Sequence, residues 1–257
     1  MSGLGYTIAV SGKGGVGKTM LSTLMIRYFS KKGSTLVIDA DPDSNLPFSL
    51  GVKVKSDVGK ARESIAHAPA RSAVAADKVG AFEGALYQVV EETDDFDIVV
   101  MGRSEGAGCY CAINHILRDI IDAKASSYDY TIIDTEAGLE HLSRRTTRDV
   151  DLMVVVTEPT LNGILTAKRV HELAKELDIG FGKILVVANK VTAETKPMGE
   201  KLAKEYGLGI DFFIPYDPAV GLQDAMGKPM IQLPVDSPAS KAATELCEIV
   251  ENTVFTA

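Results

Sequence analysis

The chain has 257 residues, 24% of them charged, and a formal net charge of −8. That length suits one large α/β domain with a proper core and is short for two. The negative balance argues against a nucleic-acid partner, which needs clustered Lys and Arg for phosphate contacts, and against docking on an anionic membrane surface.

The N-terminus has no basic n-region, and its short apolar run leads straight into a glycine loop. It therefore reads as a first strand and not as a signal peptide. Similar runs recur at 7–10, 35–38, 98–101, 130–133, 152–156, 184–187 and 212–214. Most are continuous and rich in Val and Ile, the pattern of strands buried on both faces of a parallel sheet. Helical periodicity falls between them, over 19–32, 112–123, 160–177 and 196–206. Residues 52–93 carry many Ala, mixed charges and no strong strand, and read as two helices and a loop covering one face. The stretch 239–254 reads as an amphipathic helix with Glu245, Glu248 and Glu251 where a membrane-targeting tail would carry Lys and Arg. No apolar run approaches the length of a membrane span. Strand, crossover helix and strand in alternation predict an α/β fold, a doubly wound and mostly parallel sheet of about seven strands flanked by helices. With no repeat or linker to divide it, residues 1–257 read as one domain.

The strongest motif is Gly12-Lys13-Gly14-Gly15-Val16-Gly17-Lys18-Thr19, between the first strand and the first helix. The glycines let the backbone wrap phosphates with its N–H groups inward, and the helix that continues through Met20 adds its positive dipole end. Lys18 is placed to reach β- and γ-phosphates, and the Thr19 hydroxyl to ligate Mg2+. Two further strand ends carry carboxylates. Asp39-Ala40-Asp41-Pro42 follows the second, and Ile132-Ile133-Asp134-Thr135-Glu136-Ala137-Gly138 closes the fourth, where Asp134 fits a Walker B aspartate.

The string KGGVGKT, with its extra Lys13, resembles the deviant Walker A group of MinD, ParA and the nitrogenase iron protein. That resemblance implies ATP/ADP with Mg2+, a homodimer, and a Lys13 that reaches the partner's nucleotide as an arginine finger would. It further implies that Asp41 positions or activates the attacking water, that Asp39 supports the Mg2+ shell, and that Gly138 lies in switch II. Catalysis is then expected from Lys13, Lys18 and Asp41. Asn189-Lys190, at the end of the sixth strand, looks like an adenine-recognition element, with the Asn189 amide on the base edge. Pro215-Tyr216-Asp217, after the seventh strand, looks like a second.

Three cysteines do not make a disulfide framework, and Cys109 and Cys111 sit too close for an unstrained bridge. The chain looks cytosolic, where thiols stay reduced. Cys109-Tyr110-Cys111 follows a glycine-rich loop after the third strand. A helix N-terminus and the nearby Arg103 lower thiol pKa values and make better metal ligands. Two thiolates supply half of a tetrahedral site, and two copies of the chain would complete it. His115, one turn on, reads as a helix-surface residue. KGGVGKT, GRSEGAGCYC and DTEAGLEHLSR together look most like the CooC family, whose ATPases help insert nickel into carbon monoxide dehydrogenase. The resemblance implies a dimer bridged by nickel, with Zn2+ or Cu(I) also suited to such thiolates, and that dehydrogenase as client. The related accessory factor for acetyl-CoA synthase stays open as an alternative. A nitrogenase-type cluster would need a second cysteine where Glu136 and Ala137 stand. A MinD-like or ParA-like positioning or partition module would need a basic tail or patch, and a carrier of tail-anchored proteins a Met-rich insertion, whereas the eight Met are scattered.

Overall fold

Seven strands run parallel and one antiparallel in the sheet that organises the molecule. The computed structural model describes residues 5–61, 89–103, 124–136, 150–176 and 181–255. The strands are β1 (Tyr6–Gly12), β2 (Thr35–Ala40), β3 (Val90–Glu92), β4 (Asp97–Val100), β5 (Tyr130–Thr135), β6 (Val150–Thr157), β7 (Phe181–Val191) and β8 (Phe212–Pro215). Their spatial order is β3-β4-β2-β5-β1-β6-β7-β8. Order reverses on either side of β1, so the C-terminal ends of β1, β2 and β5 frame the crevice where such sheets bind ligands.

The central strands are apolar along their whole length because both faces are covered. Ile8 and Val10 of β1 join a core with helices α1 (Lys18–Phe29) and α6 (Pro238–Val254), whereas Ala9 points into a second core with Leu36, Ile38 and Ile133. A third cluster packs helix α3 (Leu161–Glu176) on Met153, Val155 and Val186. Helix α1 is buried almost all round, since the sheet, α6 and the short α2 (Leu46–Leu50) enclose it. Helices α4 (Thr195–Glu205) and α5 (Pro218–Ala225) follow, and short 3-10 turns occupy Ala125–Ser127 and Met230–Gln232.

Eight strands stand where about seven are expected, and the added one corrects the reading of 52–93 as strandless. β3 is a three-residue edge strand carrying two Glu, paired on one side only with β4. It is too short to show a run or a period. The expected helix over 112–123 and residues 62–88 lie outside the described residues.

At the end of β1 the backbone demands glycine. Gly12 has φ +147°, and a Cβ there would sit 2.2 Å from the Val156 carbonyl oxygen of β6. Gly12→Ala is expected to cost about 2 kcal/mol or more of stability and to lower Tm. Thermal melting checks it, and an unchanged Tm would contradict so close an approach of the two strands.

Candidate nucleotide site

The loop 13–17 leaves β1 at its C-terminal end and turns directly into α1. Gly15 and Gly17 have φ +81° and +95°. A Cβ on Gly17 would also lie 2.3 Å from the Asn189 amide nitrogen, so conformation and space both exclude a side chain. Val16 is buried as the loop's apolar anchor, while Lys13, Gly14 and Gly15 are exposed. Lys18 is buried, and its Nζ donates to the Lys13 carbonyl at 3.4 Å across the loop. The arrangement presents a concave backbone, a buried ammonium and a helix N-terminus to the crevice, which suits a polyphosphate.

Asp39 and Asp134 are register partners at the ends of β2 and β5, both buried. Asp134 accepts the Thr19 hydroxyl at 2.7 Å on one oxygen and the Ser22 hydroxyl at 2.9 Å on the other. Burial pushes its pKa up to about 6 against the pull of those two donors. Asp39 accepts the Asp41 N–H at 3.1 Å and the Leu46 N–H at 3.2 Å. Burial first, and the neighbouring Asp134 charge second, raise it to about 8. Two adjacent buried carboxylates beside a hydroxyl are a hard-oxygen donor set that a divalent cation would relieve of its repulsion, so the residues fit Mg2+. Thr19 and Asp134 would hold it, with Asp39 behind them, and the cation would supply neutralisation of phosphate charge. Ser22 escaped the sequence reading. It lies three residues after Thr19, on the same helical face, and that spacing was its available signal.

Asp41 is half-buried at the start of the turn after β2, and its Oδ1 accepts the Asp43 N–H at 2.9 Å. Asp43 in turn pairs with Arg103 beyond β4. A buried hydroxyl chain links this region to α1. Thr23 Oγ1 donates to the Thr19 carbonyl at 2.7 Å, which leaves the Ser49 hydroxyl of α2 to donate to Thr23 Oγ1, also at 2.7 Å.

Across from the phosphate loop opens a cavity of about 550 Å³, lined among others by Thr19, Met20, Asn189, Tyr216 and Val220. Asn189 Nδ2 donates to the Val16 carbonyl at 2.8 Å, and its Oδ1 accepts the Lys190 N–H at 2.8 Å. The amide therefore ties the loop to β7 while one N–H still faces its surroundings. Pro215 closes β8, and Tyr216 is 57% exposed at the cavity wall, a free ring face for a base. Asp217 is engaged elsewhere. Its oxygens accept the Ala219 N–H at 2.9 Å, capping α5, and the Ala239 N–H at 3.0 Å. Burial works to raise its pKa, but these bonds and the Ser237 hydroxyl hold it below the usual value. It shapes the wall rather than offering a free carboxylate. Arg27 of α1 secures the same wall from behind, donating to the Leu233 carbonyl at 2.6 Å and to Ser240 Oγ at 2.9 Å.

Residues 7–230 match the CbiA family, the CobQ/CobB/MinD/ParA nucleotide binding domain. The chain belongs to this family. It is 47% identical over 251 residues to an uncharacterized ATP-binding protein of Methanocaldococcus jannaschii, an alignment spanning 96% of this chain and 99% of the relative. It is 30% identical to the carbon monoxide dehydrogenase accessory protein CooC of Rhodospirillum rubrum, over 86% of this chain and 87% of the relative. In fold it is similar to a ParA family ATPase from Chlorobium tepidum, with a TM-score of 0.73 at 20% identity and coverage of 95% and 98%.

Within this MinD/ParA-like P-loop fold, the structure brings Gly12 to Met20, Asp39, Asp41, Asp134, Asn189, Pro215, Tyr216 and Asp217 to one end of the sheet. Cys109, Cys111, His115 and Gly138 lie outside the described residues. The third cysteine, Cys247, is buried in α6, where desolvation pushes its thiol far up, as befits a packing residue and not a ligand.

Proposed function

We propose that the chain is a Mg2+-dependent ATPase acting as a homodimer, one domain over 1–257, that supports nickel insertion into carbon monoxide dehydrogenase. The observation that carries the ATPase reading is the pair of buried carboxylates behind the Thr19 hydroxyl, directly under a phosphate loop with its buried Lys18. Lys18 would neutralise phosphate charge, Asp41 would orient the attacking water and Lys13 would act across the dimer. Adenine would lie between Asn189 and the Pro215-Tyr216 wall.

The finer reading rests on similarity to the accessory protein CooC along most of the chain and on the sequence Cys109-Tyr110-Cys111. Two such pairs across a dimer would make a four-thiolate site for Ni2+, with Zn2+ as its common substitute. Acetyl-CoA synthase is the alternative client. A positioning or partition switch is the second reading, supported by the fold of the ParA relative. Against it stands the character of α6, whose exposed residues include Glu245 and Glu248 where a membrane-binding amphipathic helix would carry Lys and Arg.

Two variants separate the activities. Lys18→Ala is expected to lose Mg-ATP binding, by about a hundredfold or more, because a buried charge-assisted phosphate contact disappears. The double variant Cys109→Ser/Cys111→Ser should keep ATP binding and lose nickel, measured by elemental analysis of the anaerobic dimer, which should hold one ion per dimer in the parent. In an extract, it should also fail to raise dehydrogenase activity when nickel is scarce, and excess nickel should relieve the defect. A double variant with unchanged metal stoichiometry, or a client matured equally well by it, would remove the nickel reading and leave the ATPase reading standing.

A further inference from the structure

Strand β7 ends in an irregular way. Its pairing with β8 shifts register between Ala188 and Val191, and Lys190, inside that shift, has φ +57°. A lysine in the left-handed region is unusual and needs something to hold it. Three bonds do. The Lys190 N–H donates to Asn189 Oδ1 at 2.8 Å, and its Nζ donates to the Gly15 carbonyl at 2.7 Å and to Glu158 Oε1 at 2.6 Å. Asn189 Nδ2 holds the next carbonyl, that of Val16, at 2.8 Å. Two consecutive residues of β7 thus grip two consecutive carbonyls of the phosphate loop.

The geometry matters because a peptide unit has two ends. The Gly15 carbonyl shares its plane with the Val16 N–H, and the Val16 carbonyl shares its plane with the Gly17 N–H. Holding both carbonyls toward β7 turns both N–H groups the other way, as an anion nest requires. The loop cannot enforce this alone. Gly15 and Gly17, at φ +81° and +95°, flank these planes, and glycine accepts a flipped peptide at little cost. A flipped plane would present a carbonyl oxygen to phosphate oxygens. Glu158, at the end of β6, offsets the Lys190 charge, so the pair acts on the peptide and not as a further cation on the ligand.

We propose that Lys190, held by Glu158, is a positioning residue that locks the Gly15 peptide in the orientation that binds phosphate. This rests on reading residues 12–19 as the phosphate site. Lys190 is also among the residues that line the cavity, so packing on the base is the competing role.

Calorimetric titration of the full chain with Mg2+ and ATP, ADP or AMP distinguishes them. Lys190→Met keeps the stem and removes the ammonium. It should weaken ATP and ADP by about tenfold or more, since a carbonyl loses a charged donor, and AMP by less than about threefold, since AMP lacks the β- and γ-phosphates. Lys190→Arg should return ATP affinity to within about threefold of the parent, a guanidinium having donors for both oxygens. Lys190→Gly removes the backbone strain as well as the ammonium, so it should melt at or above the parent Tm yet bind ATP as weakly as Lys190→Met. Lys190→Met binding ATP like the parent would overturn the proposal. So would a Lys190→Gly that loses AMP and ATP affinity equally, which indicates packing of the stem on the base, or one that loses Tm and affinity together, which indicates a merely structural contact. A parent chain that binds no ATP would overturn the phosphate-site reading itself, and the brace with it.

Discussion

Asp41→Asn is expected to slow ATP hydrolysis by at least about a hundredfold while Mg-ATP affinity stays within about threefold of the parent, the pattern of a lost water-orienting base. The substitution is nearly isosteric, and the bonds around Asp41 explain why the turn should survive it. The backbone N–H of Asp41 is held by Asp39, and its Oδ1 accepts the Asp43 N–H, a role that an amide oxygen can take over. What disappears is the negative charge. Asp39→Asn is a different experiment, because both oxygens of that buried carboxylate accept backbone N–H groups, from Asp41 and Leu46. An amide there leaves one of them facing an NH2 group, so Tm should fall together with activity. Single-turnover hydrolysis and equilibrium binding, run on the same Asp41→Asn preparation, decide the matter. Turnover at the parent rate would exclude Asp41 from the chemistry.

What the sequence disclosed followed from apolar continuity. β1, β2, β5 and β6 were legible because each is buried on both faces, and their true ends extend past the apolar runs into the polar residues that carry the site, such as Asp39 and Asp134. β7 was underestimated most. It spans Phe181–Val191 against a run of 184–187, since Lys183, Asn189 and Lys190 interrupt the hydrophobic signal while the backbone continues the ladder. α2 has five residues and α5 eight, too few to show a helical period, and although Asp217 before Pro218 is a local helix-cap signal for its bond to the Ala219 N–H, nothing local reveals its second bond, to the Ala239 N–H. The same limit hid the Lys190–Gly15 bond, which joins residues 175 positions apart. Motifs expose residues that act together in one loop, whereas braces between strand ends become visible only when the sheet is assembled.

Lys13→Gln should bind ATP yet hydrolyse it at least about a thousandfold more slowly, the scale of removing a finger supplied in trans. Lys13 is exposed at the loop, and only its carbonyl enters the loop's own bonding, as acceptor from Lys18. Among the described residues no ion pair takes up its ammonium, which leaves that charge available to a neighbouring molecule. Mixing makes the test specific. In a heterodimer of Lys13→Gln and Asp41→Asn chains, the site on the first chain keeps its own Asp41 and receives an intact Lys13 from the second. The opposite site lacks both. One active site in each heterodimer, with half of the dimers mixed, predicts recovery to about a quarter of the parent rate in an equimolar mixture. A lysine acting within its own chain gives no such recovery, because neither chain then contains a complete set. A mixture no more active than the two variants measured apart would therefore place Lys13 in its own site and remove the cross-dimer role.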